Sequence, residues 1–174
     1  RFAFDGAARA DAYLRFVVRE VKPLVDRRFA TKPDVQDTFV MGSSMGGLVS
    51  LYALCEYPDV FGGAAALSTH WVGTGRANAT IPLALFTYLR DRLPDAATHR
   101  LYLDIGTRTL DSLYVIHQPV AERVAMDRGY GPGTMLARTV AGADHTERSW
   151  AARLAGPLRF LLTGDTTAAP PRPR

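Results

Sequence analysis

The stretch VMGSSMGGLVSLYALCEYP, residues 40–58, joins an apolar run to a helix-like segment through a series of small residues. Residues 38–41 have the pattern of a buried strand, and residues 45–57 have that of a helix. The serines and glycines between them have two explanations. Either they allow close packing of the strand against the helix, or they hold one serine up for chemistry. The remainder of the chain distinguishes between the two.

The same alternation of strand-like and helix-like segments continues through the rest of the chain. The predicted strands are 38–41, 61–67, 100–105 and 135–140, and the predicted helices are 7–29, 45–57, 81–93, 113–126 and 146–162. Strands that alternate with helices are typical of an α/β fold with a mostly parallel sheet and flanking helices. The sequence predicts this class.

Length and composition indicate a single folded domain. The chain has 174 residues, of which 47% are apolar and 22% are charged, enough to build a sizeable core. We assign residues 1–163 to this domain. Residues 164–174, which end in TTAAPPRPR, are predicted to be a disordered tail.

Several classes of function are disfavoured by composition. The net charge is +4, but the arginines are scattered and form no basic stripe, so nucleic acid is not an expected partner. Cys55 is the single cysteine, which leaves no disulfide framework or Cys-rich zinc site and fits a core position. No apolar run has the ~18–20 residues of a membrane span. A cytoplasmic location is favoured, with a periplasmic or secreted one left open because the chain begins at Arg1.

The polar residues that follow the predicted strands form a short set. In an open parallel sheet, ligands bind beyond the carboxyl ends of the strands. The residues found there are Ser43 and Ser44, Ser68 to Trp71, Thr107 and Asp111, and Asp144 and His145. A serine, an acid and a histidine therefore meet at one edge of the sheet.

The opening stretch contains the pattern G-x-S-x-G from Gly42 to Gly46. A sharp turn between strand and helix needs neighbours without bulk, which the two glycines provide. Ser44 would project its hydroxyl above the sheet, where the helix start favours an anion. The backbone N–H of Met45 becomes one oxyanion donor. We therefore predict Ser44 as a nucleophile, against the alternative of a plain packing turn.

A serine nucleophile needs a base, and His145 is the best placed of the four histidines. It follows the last predicted strand in VAGADHTERSW, where a loop could return it toward Ser44. His99 and His117 are expected at the surface, and His70 has no acid partner behind it. The alternative for His145 is a surface residue that caps the next helix.

The acid that orients the base is predicted to be Asp111. It lies in the loop after the third strand, within reach of the far nitrogen of His145. Asp104 lies inside that strand and is expected to tie loops together by hydrogen bonds. Asp111 could instead cap the next helix. The chain order is thus Ser44, Asp111 and His145.

The stretch MGSSMGGLVSLYALCEYPDVFGGAAALS resembles the putative-esterase branch of the α/β-hydrolases. That branch includes S-formylglutathione hydrolase, enterobactin-type siderophore esterases, feruloyl esterases and mycolyltransferases. The resemblance runs from the first predicted helix to the last, and the pair Gly46 and Gly47 makes it more specific than the pentapeptide. It implies an α/β-hydrolase fold, a serine esterase that forms an acyl-enzyme, and the roles given above for Ser44, Asp111 and His145. No metal or organic cofactor is implied.

The chain departs from that branch at its start. In the family, further strands precede the nucleophile strand and supply the second oxyanion donor, so this chain is expected to be the C-terminal part of a longer hydrolase and to be inactive on its own. A small-molecule ester is the expected partner, with His70 and Trp71 beside it, and the oligomeric state is not predicted. An acyltransferase with the same triad and a non-catalytic fragment remain as alternatives.

Overall fold

Four parallel strands form the centre of the molecule in the computed structural model, which describes residues 8–167. The strands are β1 (Phe39–Ser43), β2 (Gly63–Leu67), β3 (Arg100–Gly106) and β4 (Met135–Val140). They lie in the sheet in chain order, β1-β2-β3-β4, and every neighbouring pair is parallel. The α/β prediction is confirmed. Each predicted strand is found within two residues of its expected bounds.

Helices connect the strands and cover both faces of the sheet. The helices after β1, β2 and β3 are α3 (Met45–Glu56), α4 (Thr80–Arg92) and α5 (Gln118–Asp127). After β4 the chain forms α6 (Glu147–Arg153) and α7 (Ala155–Thr163). Within residues 8–167, none of the helices has the length and apolar character needed to cross a bilayer.

Two apolar cores follow from the alternation of side chains along the buried strands. On one face, Ala64 and Ala66 of β2 and Leu101 and Leu103 of β3 pack with α3, α4 and α5. On the other face, Ala65, Leu67 and Tyr102 pack with Phe160 and Leu161 of α7. A strand that is buried on both faces is apolar at nearly every position, which explains why β2 reads GAAAL and is buried throughout.

The first long helix contains a π-helical turn that the sequence did not predict. The segments are α1 (Ala10–Phe16), the π turn Val17–Val21 and α2 (Lys22–Arg28). Pro23 lacks an N–H, and its ring would clash with the carbonyl four residues earlier. The Lys22 N–H instead donates to the Val17 carbonyl, five residues back, and this wider turn accommodates the proline.

Two other predicted helices have different bounds. The helix expected at 113–126 begins only at Gln118, because the chain first forms a 3₁₀ helix, Thr109–Leu113, that carries Asp111. The helix expected at 146–162 is divided at Leu154 into α6 and α7. Pro157 falls in the first turn of α7, where its missing N–H costs nothing. Of the predicted tail, residues 164–167 follow α7 without regular structure, and 168–174 lie outside the described residues.

Candidate active site

The carboxyl ends of the four strands bring the predicted site residues together. Ser44 follows β1 directly, His70 and Trp71 follow β2, Asp111 lies in the 3₁₀ helix after β3, and His145 lies between β4 and α6. Because the strands are parallel, these connections share one edge of the sheet. Residues separated by up to 101 positions in the chain are in direct contact there.

The backbone at Ser44 has a strained conformation. Its φ is 56° and its ψ is −120°, a region that residues with a Cβ rarely adopt. Surrounding hydrogen bonds hold it in place: the Ser44 N–H donates to the Leu67 carbonyl (2.9 Å), and the Ser44 carbonyl accepts from the Gly47 N–H (3.0 Å) and the His70 N–H (3.2 Å). The strain directs the Ser44 side chain away from the sheet, toward His145.

The glycines of this turn have different reasons to be glycine. A Cβ at Gly42 would lie 2.5 Å from the Gly46 carbonyl group, so strand and helix could not approach as they do. A Cβ at Gly47 would lie 2.9 Å from Thr69 Oγ1. A Cβ at Gly46 would meet nothing within 4 Å. The predicted need for a residue without a side chain therefore holds at Gly42 but not at Gly46. At Gly46, it is the backbone that Gly42 approaches, and a side chain would find open space.

Ser44, His145 and Asp111 form a continuous hydrogen-bonded series. Ser44 Oγ lies 2.8 Å from His145 Nε2, and His145 Nδ1 lies 2.5 Å from Asp111 Oδ1. The Asp111 side chain has no exposed surface and that of His145 is 11% exposed. A carboxylate accepts hydrogen bonds only, so Asp111 places the imidazole proton on Nδ1 and leaves Nε2 to accept the Ser44 proton.

The loops that carry Asp111 and His145 are fastened to each other through the backbone. The Thr107 and Arg108 N–H groups both donate to the Ala143 carbonyl (3.0 Å each). The His145 N–H donates to Thr109 Oγ1 (2.9 Å), and Thr109 itself has a φ of 53°. These bonds fix the distance between Asp111 and His145.

A helix cap fixes the turn around His145. Asp144 Oδ1 accepts from the hydroxyls of Thr146 (2.5 Å) and Ser149 (2.6 Å), and these two bonds lower the pKa of the Asp144 carboxyl. The hydroxyl of Thr146 in turn accepts from the Ser149 N–H at the start of α6 (3.3 Å). The residue before His145 and the residue after it are therefore both anchored to the helix.

Asp104 has a different partner from Asp111. Its carboxylate forms a buried ion pair with Arg153 of α6, at 3.0 Å from Nε and 3.1 Å from Nη2, and accepts from the Tyr102 hydroxyl (3.1 Å). Burial raises the pKa of the Asp104 carboxyl, and the Arg153 guanidinium opposes that rise. Of the two acids considered from sequence, the one in contact with His145 is Asp111.

The start of α3 offers a free donor beside Ser44. The Met45 N–H makes no hydrogen bond within residues 8–167, as is usual for the first N–H groups of a helix. Together with the positive end of the helix dipole, it favours negative charge next to the Ser44 oxygen. Among these same residues, no group of three or more side chains suits a metal ion.

His70 lies at the site with an unpredicted partner, Tyr114. His70 Nδ1 contacts the Tyr114 hydroxyl, and the two rings meet edge to face with centroids 5.5 Å apart. Burial lowers the pKa of His70, and the nearby His145 adds to the effect. His70 is therefore held as the neutral imidazole near neutral pH.

Trp71 follows His70 in the loop after β2 and lies inside the protein. Its side chain has no exposed surface; it packs against Phe86, with ring centroids 5.4 Å apart, and donates to Gln118 Oε1 (3.3 Å). It borders an apolar cavity of about 510 Å³ between α1, α3 and α4, whose lining also includes Met45 but neither Ser44 nor His145. The contact of Trp71 with a substrate therefore stays a prediction, with this cavity as the place for an apolar group.

Sequence reasoning also missed a cluster behind Asp111 and His145, formed by Ser68, Trp150 and Arg153. Ser68 was noted only as a polar residue after β2. Trp150 packs edge to face on His145, with centroids 5.0 Å apart, and Arg153 lies fully inside the protein on α6. An arginine in a helical pattern resembles a surface residue, so the sequence held no signal for its burial.

Comparison with known proteins identifies a family to which this sequence is similar. Residues 4–161 match the family described as "Putative esterase". A 60-residue stretch is 30% identical to the uncharacterised protein YbbA of Bacillus subtilis (strain 168), which covers 34% of this chain and 24% of that protein.

Three solved structures share the fold. Enterochelin esterase from Shigella flexneri is 22% identical, with a TM-score of 0.65, over 87% of this chain and 37% of its own. A ferulic acid esterase from Anaeromyces mucronatus is 18% identical, with a TM-score of 0.65, over 88% and 53%. S-formylglutathione hydrolase from Staphylococcus aureus is 17% identical, with a TM-score of 0.59, over 88% and 66%. The chain thus spans 37% to 66% of the length of these proteins.

Proposed function

Because this chain belongs to the family described as "Putative esterase", we propose that it hydrolyses carboxylic esters through Ser44, His145 and Asp111. The observation that carries the proposal is the series of contacts from Ser44 Oγ to His145 Nε2 (2.8 Å) and from His145 Nδ1 to Asp111 Oδ1 (2.5 Å). A nucleophile, a base and an orienting acid in this geometry are what acyl transfer requires.

In the first step, His145 Nε2 takes the proton of Ser44 while Oγ attacks the ester carbonyl. The carbonyl oxygen becomes an oxyanion, and the buried Asp111 carboxylate stabilises the imidazolium that forms. The tetrahedral intermediate then breaks its bond to the alcohol oxygen, which receives the proton from Nε2. The alcohol leaves, and the acyl group stays bound to Ser44.

In the second step, a water molecule takes the place of the alcohol. His145 Nε2 removes one of its protons, and the hydroxyl attacks the acyl carbon. Collapse of the second tetrahedral intermediate breaks the bond to Ser44 Oγ, which recovers its proton from Nε2. The products are a carboxylic acid and the free enzyme, and no cofactor takes part.

The Met45 N–H is proposed as one oxyanion donor. It points from the start of α3 and has no other acceptor within the described residues. A second donor is proposed to come from outside residues 8–167. The loss of one oxyanion donor typically lowers the rate by ~10²–10³-fold, so activity assays need the protein together with any residues that its gene encodes before Arg1.

His70 is proposed to contact the substrate. Its Nδ1 is occupied by Tyr114, whereas its Nε2 makes no hydrogen bond within the described part of the chain. The ring is partly exposed, and its backbone N–H donates to the Ser44 carbonyl, so it adjoins the nucleophile. A neutral imidazole in this position could bind an oxygen of a small-molecule ester.

Ser43 and Ser44 provide a matched test. We expect the protein to turn over p-nitrophenyl acetate and to be labelled by a fluorophosphonate, Ser44→Ala to lose both properties, and Ser43→Ala to retain them. Labelling of Ser44→Ala to the same extent as the unchanged protein would contradict the proposal. Transfer of the acyl group to an added alcohol in preference to water would identify an acyltransferase with the same residues.

A further inference from the structure

Ser68 lies at the centre of a buried cluster that the proposed reaction does not use. It follows β2, has no exposed surface, and has a φ of 45° despite its Cβ. Its hydroxyl oxygen lies 2.6 Å from Asp111 Oδ2, 2.7 Å from Arg153 Nη2 and 3.0 Å from Trp150 Nε1. Such a backbone conformation is costly, and here it places one hydroxyl between two buried charged groups and the half-buried indole of Trp150.

The direction of the Ser68 hydrogen follows from the chemistry of its neighbours. A serine hydroxyl donates one hydrogen bond and accepts up to two. Arg153 and Trp150 are donors only, so they occupy both acceptor positions of the Ser68 oxygen. The Ser68 hydrogen is left to point at Asp111 Oδ2.

The two oxygens of Asp111 are therefore divided between two tasks. Oδ2 accepts from the Ser68 hydroxyl (2.6 Å) and from the Gly106 N–H (2.7 Å), while Oδ1 faces His145 Nδ1. Rotation of the carboxylate would break both bonds to Oδ2. A Cβ at Gly106 would lie 2.5 Å from Oδ2, so the glycine is required for the close approach of this donor.

A buried ion pair holds Ser68 from the other side. Arg153, 3% exposed, is matched in charge by the fully buried Asp104, so the donor to Ser68 is charged but the pair is neutral. Hydrogen bonds from a charged donor are stronger than neutral ones and polarise the next bond in a chain. The Ser68 N–H also donates to the Asp104 carbonyl (2.8 Å), which ties the same residue to β3.

We propose that Ser68 is a positioning residue for the reaction, and that Arg153 and Trp150 commit its hydroxyl proton to Asp111. This inference rests on the proposed function, since its effect on turnover is exerted through Asp111 and His145. Without the Ser68 donor, the Asp111 charge concentrates on the oxygen that faces His145. The imidazolium is then held more tightly, and the orientation of the carboxylate is less restricted.

The test removes the hydroxyl without adding strain. Ser68→Gly tolerates a positive φ, and Ser50→Ala is the matched control, since Ser50 is also a buried serine but donates only to the Gly46 carbonyl within α3 (2.8 Å). We expect kcat for p-nitrophenyl acetate to fall ~10–100-fold in Ser68→Gly with KM little changed. The acid limb of the pH profile of kcat/KM should move to higher pH. Ser50→Ala should behave as the unchanged protein.

A second measurement separates this inference from the esterase proposal. The His145 imidazole is titrated by NMR without substrate, with its signals assigned by their loss in His145→Gln. Ser68→Gly should raise the pH of that titration whether or not the protein turns over an ester. If the protein is active and Ser68→Gly matches Ser50→Ala in both kcat and titration, the positioning role is wrong and the esterase proposal stands.

A third variant tests the proposal if Ser68→Gly does not fold. Ser68→Cys keeps the shape of the side chain but has a weaker donor. We expect it to fold and to shift kcat and the His145 titration in the same directions by smaller amounts. A folded Ser68→Cys protein with an unchanged titration would overturn the proposal.

Discussion

At the scale of single residues, the candidate site contains three non-glycine residues in the left-handed half of backbone space: Ser44, Ser68 and Thr109. Each is one of the residues Ser44, His145 and Asp111 or is hydrogen-bonded to one of them. Ser44 contacts His145, Ser68 contacts Asp111, and Thr109 accepts from the His145 N–H. Backbone strain of this kind persists only where the surroundings enforce it, and in this chain it coincides with the site.

The two acids of β3 and its loop allow a direct comparison. Asp111→Asn should lower kcat by on the order of 10⁴, because an amide at this position no longer selects the imidazole proton on Nδ1, and should leave the fold intact. Asp104→Asn should instead lower the free energy of unfolding by ~3–5 kcal/mol, because the buried Arg153 loses its partner.

Activity per folded molecule and denaturant unfolding should be measured for both variants. Active-site titration with a fluorophosphonate corrects kcat for unfolded protein. The assignment of Asp111 would be wrong if Asp104→Asn lost activity by the larger factor while Asp111→Asn kept it.

At the scale of elements, the junction of β1 and α3 determines the position of Ser44. Gly42→Ala would place a methyl group 2.5 Å from the Gly46 carbonyl, where only backbone could move. We expect a loss of stability of ~1–3 kcal/mol and a further loss of activity, because the Ser44 turn must shift. Gly46→Ala would meet nothing within 4 Å. Its stability should change by less than ~1 kcal/mol and in the favourable direction, since alanine is the better helix former.

Denaturant unfolding of the two variants checks this difference. The glycines lie in the same pentapeptide, so each serves as the control for the other. Equal destabilisation by both substitutions would mean that the clearance is needed on the helix side as well.

Element boundaries show where sequence patterns reach their limit. The strands were predicted well because short apolar runs bounded by turn residues are local signals. The 3₁₀ helix at Thr109–Leu113 was missed because five residues are too few to show a helical period. The pattern assigned most of this segment to a loop and only Leu113 to the next helix. The π turn was missed because it arises from one residue, Pro23, inside a helical pattern that spans residues 7–29.

At the scale of the whole molecule, the proximity of Ser44, Asp111 and His145 could be predicted from the order of strands and helices along the chain. Parallel strands with intervening helices place every βα connection at one edge, and the predicted strands located those connections. The contacts of Ser68 could not be predicted in this way. Its partners Trp150 and Arg153 lie 82 and 85 positions away on a helix, and which helix face meets the sheet depends on packing that the sequence does not display.

Stability of the whole molecule should fall as the pH drops below neutrality, in part through His70. Burial, and secondly His145, lower the pKa of His70 below its ordinary value of 6.5, so the folded state binds this proton less tightly than the unfolded chain. The contribution of neutral His70 to the free energy of unfolding is fully present above the pKa of the unfolded chain. It is lost as the pH falls through the lower pKa that His70 has in the folded protein. Because the ring is partly exposed, the slope should be less than the ~1.4 kcal/mol per pH unit of a full proton.

The comparison of His70→Gln with the unchanged protein isolates this contribution. The free energy of unfolding should be measured by urea at about pH 7.5 and about pH 5.5, and the decrease between them should be smaller in His70→Gln because glutamine does not titrate. His117, whose pKa burial also lowers, should show an effect of the same sign in His117→Gln. An equal or larger decrease in His70→Gln would mean that the folded protein accepts a proton on His70 as readily as the unfolded chain, and the neutral state proposed for substrate contact would then be wrong.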